Sequence, residues 1–174
     1  ITDKALSAAM NVVGKDFGAK KIFLPQVMLS AEAMREAFIK IKERIPADSV
    51  SNKGTIVIAT VKGDIHDLGK NIVSALLENN GFKVIDLGKD IDKEEIIKAA
   101  IDNKADMIGL CSLMTTTITQ IDEVISELNK SEYSTKVMIG GAVVTQEYAD
   151  NVGADAYAPD GVEAVEIAKK LINK

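Results

Sequence analysis

Apolar positions change their period near residue 46. Before it, Leu6, Met10, Val13 and Phe17 recur at helical spacing, and Val27, Ala31, Met34, Phe38, Ile41 and Ile45 keep the same rhythm after Leu24-Pro25. Such stripes predict two amphipathic helices, the second with Pro25 in its first turn, where a missing N–H costs nothing. From Thr55 onward short β-branched or apolar runs alternate with helical spacing. Strands are predicted near residues 55–60, 83–86, 107–110, 137–139 and 154–157, and helices over 68–79, 93–103, 118–129, 146–151 and 162–172. Turn residues separate them: Asn79-Asn80-Gly81, Gly88, Gly140-Gly141, Gly153 and Pro159-Asp160-Gly161.

Regular strand–helix alternation implies an α/β fold: a five-stranded parallel sheet with helices on both faces and right-handed crossovers. A ligand loop after the first strand suggests the flavodoxin-like or Rossmann-like order 2-1-3-4-5. The expected organisation is a helical cap over residues 1–45, a linker over 46–53 that lets the cap move, and the α/β domain over 54–174. Two amphipathic helices cannot cover their own stripes. They need two more helices, expected upstream of Ile1, or the ligand face of the α/β domain. The chain opens on Ile1-Thr2-Asp3, without an initiator methionine, and is expected to be part of something longer.

Composition narrows the classes. A formal charge of −5 and the lack of a basic run argue against nucleic acid and anionic membrane surfaces. No apolar stretch approaches the roughly 20 residues that span a bilayer, and no signal-peptide pattern is visible. One cysteine, Cys111, leaves no internal disulfide and fits a reducing cytoplasm.

The only histidine, His66, stands in Gly63-Asp64-Ile65-His66-Asp67-Leu68-Gly69. It falls at the carboxyl end of the predicted first strand, where open α/β sheets bind ligands. Asp64 is near enough to orient the imidazole, and Gly69 leaves room for a ligand beside the backbone. A lone histidine after a strand is more often a loop or cap residue. The third strand ends in a hydroxyl-rich run, Cys111-Ser112-Leu113-Met114-Thr115-Thr116-Thr117, on the other side of the switch point. One threonine there is expected to cap the next helix. Gly140-Gly141 alone would be a plain turn.

Together, Asp64-x-His66-x-x-Gly69, the hydroxyl loop, the diglycine and Gly161 resemble the cobalamin-binding fold. The helical segment, with Met10 to Gly14, Phe17-Gly18 and Ile22 to Val27, resembles the cap of methyl-carrying corrinoid proteins. The resemblance implies cobalamin (methylcobalamin) bound base-off, with His66 as the lower ligand of cobalt and Asp64 and Thr117 relaying its hydrogen bond. It implies corrin and nucleotide-tail contacts from Gly63, Ile65, Asp67, Gly69, Cys111, Ser112, Leu113, Thr115, Gly140, Gly141 and Gly161. It also implies an apolar lid of Phe17, Leu24 and Val27, with Asp3 reaching the corrin's amide groups. The family commonly has Ser where this chain has Cys111, so by the resemblance either that tail contact is weakened or Ser112 takes it over.

The implied function is a methyl shuttle between methyl-Co(III) and Co(I), the cofactor-carrying module of a cobalamin-dependent methyltransferase. The expected parent is methionine synthase, carrying methyl from methyltetrahydrofolate to homocysteine. The alternative is a free-standing corrinoid protein of methanol or methylamine systems. Methyl-donor and methyl-acceptor methyltransferase domains or subunits, and a reductive reactivation partner, are the expected partners. Rivals from other classes are the cobalamin subunit of an adenosylcobalamin mutase, a cobalamin-based sensor, and a receiver-like or flavin-binding domain.

Overall fold

The structure, a computed structural model, describes residues 7–42 and 53–172. Two helices, α1 (Ser7–Gly18) and α2 (Leu24–Lys42), precede an alternating unit. That unit runs β1 (Thr55–Thr60), α3 (Leu68–Asn79), β2 (Lys83–Asp86), α4 (Lys93–Asp102), β3 (Met107–Cys111), α5 (Thr119–Lys130), β4 (Lys136–Gly140), α6 (Gln146–Val152), β5 (Ala156–Ala158) and α7 (Gly161–Ile172). All strands pair in parallel in the order β2-β1-β3-β4-β5, as the sequence implied. Every residue of β1 is buried, as expected of a strand covered on both faces.

Strand side chains alternate between two apolar layers. Val57 and Ala59 of β1 and Val61 just after it, with Ile108, Leu110 and Ile139, face α4, α5 and α6. Ile56, Met107 and Met138 face α3 and α7. Met10 of α1 and Ala31 and Met34 of α2 join that second layer. Those parts of the helix pair's stripes are thus buried against the α/β unit, whereas Phe17 remains 40% exposed. Burying three such side chains stabilises the contact by several kcal/mol, at about 1.5–3 kcal/mol for each large one.

Gly14 marks the closest approach of the two parts. A Cβ there would lie 2.4 Å from Val162 Cγ2, so α1 crosses the start of α7 at a distance only glycine allows. Asp3, Leu6 and Ile45 lie outside the described residues. So does the expected linker 46–53, except Lys53, whose N–H donates to Gly81 O.

No threonine caps α5. Its N-cap is Ile118, without a side-chain hydrogen bond, and the threonines before it belong to a turn closed by Thr117 N–H to Met114 O. The expected Thr cap fails because the Thr117 hydroxyl faces Asp64 and Met114 O instead.

Candidate corrinoid site

The carboxyl ends of β1, β3, β4 and β5 open into a cavity of about 780 Å³ roofed by α1 and α2. That is at the large end of small-molecule sites. His66, in the loop between β1 and α3, stands at its edge with its side chain 48% exposed. The imidazole is held from one side only. Its Nδ1 lies 2.7 Å from Asp64 Oδ1, and among the described residues Nε2 has no protein partner.

Asp64 is fully buried, and a buried carboxylate must be saturated with donors to stay charged. Here it is. Oδ1 also accepts from the His66 N–H, while Oδ2 accepts from the N–H groups of Leu113 and Met114 and from the Thr117 hydroxyl. Burial pushes its pKa up, but the N–H groups of Leu113 and His66, the imidazole and Thr117 outweigh that and hold it at about 2. Asp64 is thus an anion that fixes the ring. Ser112 Oγ, 3.0 Å from Thr117 Oγ1, extends the chain of hydroxyls toward the cavity.

The expected residues divide into three groups. Ile65, His66, Asp67, Gly69, Cys111, Ser112, Leu113, Gly140, Gly141 and Gly161 line the cavity, as do Phe17, Leu24 and Val27 from the helix pair. Gly63, Asp64 and Thr117 stand behind His66 and do not line it. Thr115 is exposed on the turn and is not among the lining residues. The turn brings the Leu113 N–H and Thr117 to Asp64 and leaves Thr115 exposed beside the cavity.

The shape of the wall explains the glycines. At Gly141, with φ +127°, a Cβ would sit 1.9 Å from Ser112 O. At Gly69 a Cβ would meet no atom within 4 Å, so the cavity beside α3 is kept open there. Ile65, Leu68 and Leu113 are exposed apolar side chains on the cavity wall, an arrangement that suits a large, largely apolar ligand face.

Sequence reasoning missed Val162, Lys70, Ile72 and Val73 as lining residues. The helical spacing of α3 signalled Ile72, whereas nothing local signals Lys70. Its side chain is 1% exposed and its Nζ lies 2.5 Å from both carboxylate oxygens of Asp86.

Among the described residues no three His, Cys, Asp or Glu side chains converge on a metal point. One imidazole with a free Nε2 is what a metal carried in its own macrocycle asks of a protein.

The B12 binding domain family matches residues 54–168, and a second B12 binding domain family matches residues 1–42. Dimethylamine corrinoid protein 1 of Methanosarcina acetivorans is 48% identical over 99% of this chain and 82% of that protein. The dimethylamine corrinoid protein of Methanosarcina barkeri is 46% identical over the same shares. Among solved structures, the methanol:cobalamin methyltransferase complex MtaBC of M. barkeri matches with a TM-score of 0.83 and 38% identity. That match covers 98% of this chain and 66% of the other. A cobalamin-binding protein of Desulfitobacterium hafniense DCB-2 matches with a TM-score of 0.84 and 28% identity, over 98% and 82%. Response-regulator receiver domains at 18–19% identity share the fold alone.

Proposed function

The chain belongs to the B12-binding domain family, and from that premise we propose that it is a free-standing, methyl-carrying corrinoid protein serving methylamine or methanol methyltransferases. The observation that carries the reading is the Asp64-anchored His66, its Nε2 unpartnered, at the edge of a cavity roofed by two helices. Relatives 46–48% identical along nearly the whole chain carry dimethylamine corrinoid names, and a similar structure is part of a methanol:cobalamin methyltransferase complex. These names favour the alternative over the expected methionine-synthase fragment, which gives way.

Bound cobalamin supplies a cobalt that accepts and donates a methyl group, chemistry that is the cofactor's own. The chain's residues do the rest. His66 Nε2 would hold the metal, and Asp64, through Nδ1, fixes the ring's tautomer and direction as carboxylates do behind metal-bound histidines. Asp64, an anion 2.7 Å from Nδ1, is the charged group that faces the ring. Cys111, Ser112, Gly140, Gly141 and Gly161 wall the pocket for the nucleotide tail. Phe17, Leu24 and Val27 would shield the cavity from water on the roof side, and would have to swing aside for a methyltransferase to reach a bound cofactor. A reductive partner would be needed to return an oxidised cofactor to its working state.

The test is to offer the corrinoid-loaded chain a dimethylamine methyltransferase with dimethylamine, and separately a methyltetrahydrofolate-dependent methyltransferase with its donor. Methylation in the first mixture alone supports the proposal. Methylation only by methyltetrahydrofolate would restore the methionine-synthase reading.

A further inference from the structure

One residue outside the cavity grips the loop that carries His66. Asp90, in the connection from β2 to α4, adopts φ +58°, a left-handed conformation that few residues other than glycine take and that Asp and Asn tolerate best. Its carboxylate Oδ1 accepts from the Gly63 N–H at 2.8 Å, and its own N–H donates to Asp64 O at 3.1 Å. Asp90 thus bonds two consecutive residues just before the imidazole. The connection is itself tied to β1: Thr60 N–H donates to Gly88 O, Ile91 N–H donates to Thr60 O, and Val61 bridges Ile91. Lys62 Nζ, 3.4 Å from Asp90 Oδ1, adds an ion pair on the solvent side.

Asp64 is therefore held twice: by its side chain from the 112–117 turn and by its main chain from Asp90. A side-chain grip alone leaves a loop with two glycines, Gly63 and Gly69, free to pivot about the carboxylate. The grip from Asp90 removes that freedom. Asp90 is not among the residues lining the cavity, so any effect on a ligand passes through the loop it grips, which brings Ile65, His66 and Asp67 to the wall.

We propose that Asp90 is a positioning residue for His66, holding the loop so that the imidazole is presented to the metal in one orientation. This rests on the reading of His66 as the cobalt ligand. D90G keeps the left-handed backbone without strain but removes the acceptor for Gly63, whereas D90N keeps both the conformation and an acceptor oxygen.

The experiment compares full-length wild type, D90G and D90N, each loaded with methylcobalamin, reading the ratio of His-on to His-off corrinoid from the absorption spectrum at pH 7. Amide hydrogen exchange at Gly63 is measured in the apoproteins. D90G is expected to lower the ratio about tenfold, the effect of losing one hydrogen bond to a charged acceptor, and to speed exchange at Gly63. D90N is expected to retain most of both. A D90G protein with a lower melting temperature but a wild-type ratio would reduce Asp90 to a structural residue and overturn the proposal. A wild type that shows no His-on spectrum would overturn the ligand reading first, and this proposal with it.

Discussion

At the scale of single residues, burial decides which groups are reactive. Cys111 lines the cavity, yet burial, only partly offset by Lys70, pushes its thiol up from 9.0 to about 12. Thiolate, not thiol, is the nucleophile, so native protein should react with iodoacetamide at pH 8 far more slowly than unfolded protein. Fast native alkylation would contradict this. The folded state keeps the Cys111 proton to higher pH than the unfolded chain does. Its stabilising share is intact below about pH 9 and is lost as pH rises toward 12. The stability gap between wild type and C111S, from denaturant titrations, should accordingly shift against the wild type over that interval and stay level below it.

Residues also show where sequence stops speaking. His66 and Asp64 were legible because the strand end and their two-residue spacing are local features. A Thr cap was wrongly expected because the 112–117 turn answers to Asp64, 49 residues from Leu113 in the chain. A buried carboxylate's demand for donors is a tertiary fact. Lys70 and Asp90 were invisible for the same reason: their partners come from other elements.

At the scale of elements, strand ends and helix starts set the cavity wall, and two glycines there should respond in opposite ways. G141A places a Cβ against Ser112 O in a backbone conformation unsuited to alanine. It should destabilise the fold by about 3 kcal/mol or more, from strain plus overpacking. G69A adds a methyl in open space within the first turn of α3. It should leave stability unchanged or raise it by up to about 1 kcal/mol, while weakening corrinoid uptake because the methyl enters the cavity. Thermal melts and corrinoid titrations separate the two. A G69A protein that binds corrinoid like wild type would show that the ligand does not approach α3. Element positions themselves were largely legible: β1, β2 and α3 have the predicted bounds, since a change of apolar period and flanking Asn or Gly residues are local signals.

At the scale of the molecule, α1 and α2 form the roof, docked through Met10, Ala31 and Met34 and through the Gly14–Val162 approach. That docking was open in the sequence, where apolar stripes do not name the surface that covers them. On the proposed function, a closed roof that protects the ligand would block a methyltransferase and would have to open in each cycle. A cross-link between α1 and the start of α7, made after loading, should leave corrinoid bound while slowing methyl transfer by tenfold or more. Unchanged transfer would show that the partner reaches the site with the roof in place. Among the described residues no helix is long and apolar enough to cross a membrane.

The central claim is that His66 ligates cobalt while the rest of the cavity holds the corrinoid. The most direct measurement is the absorption spectrum of the protein reconstituted with methylcobalamin, beside H66A. The account predicts a base-off, His-on spectrum in the wild type and a His-off spectrum in the variant, with corrinoid retained in both. Identical spectra in the two proteins, or a wild type that retains no corrinoid, would contradict it.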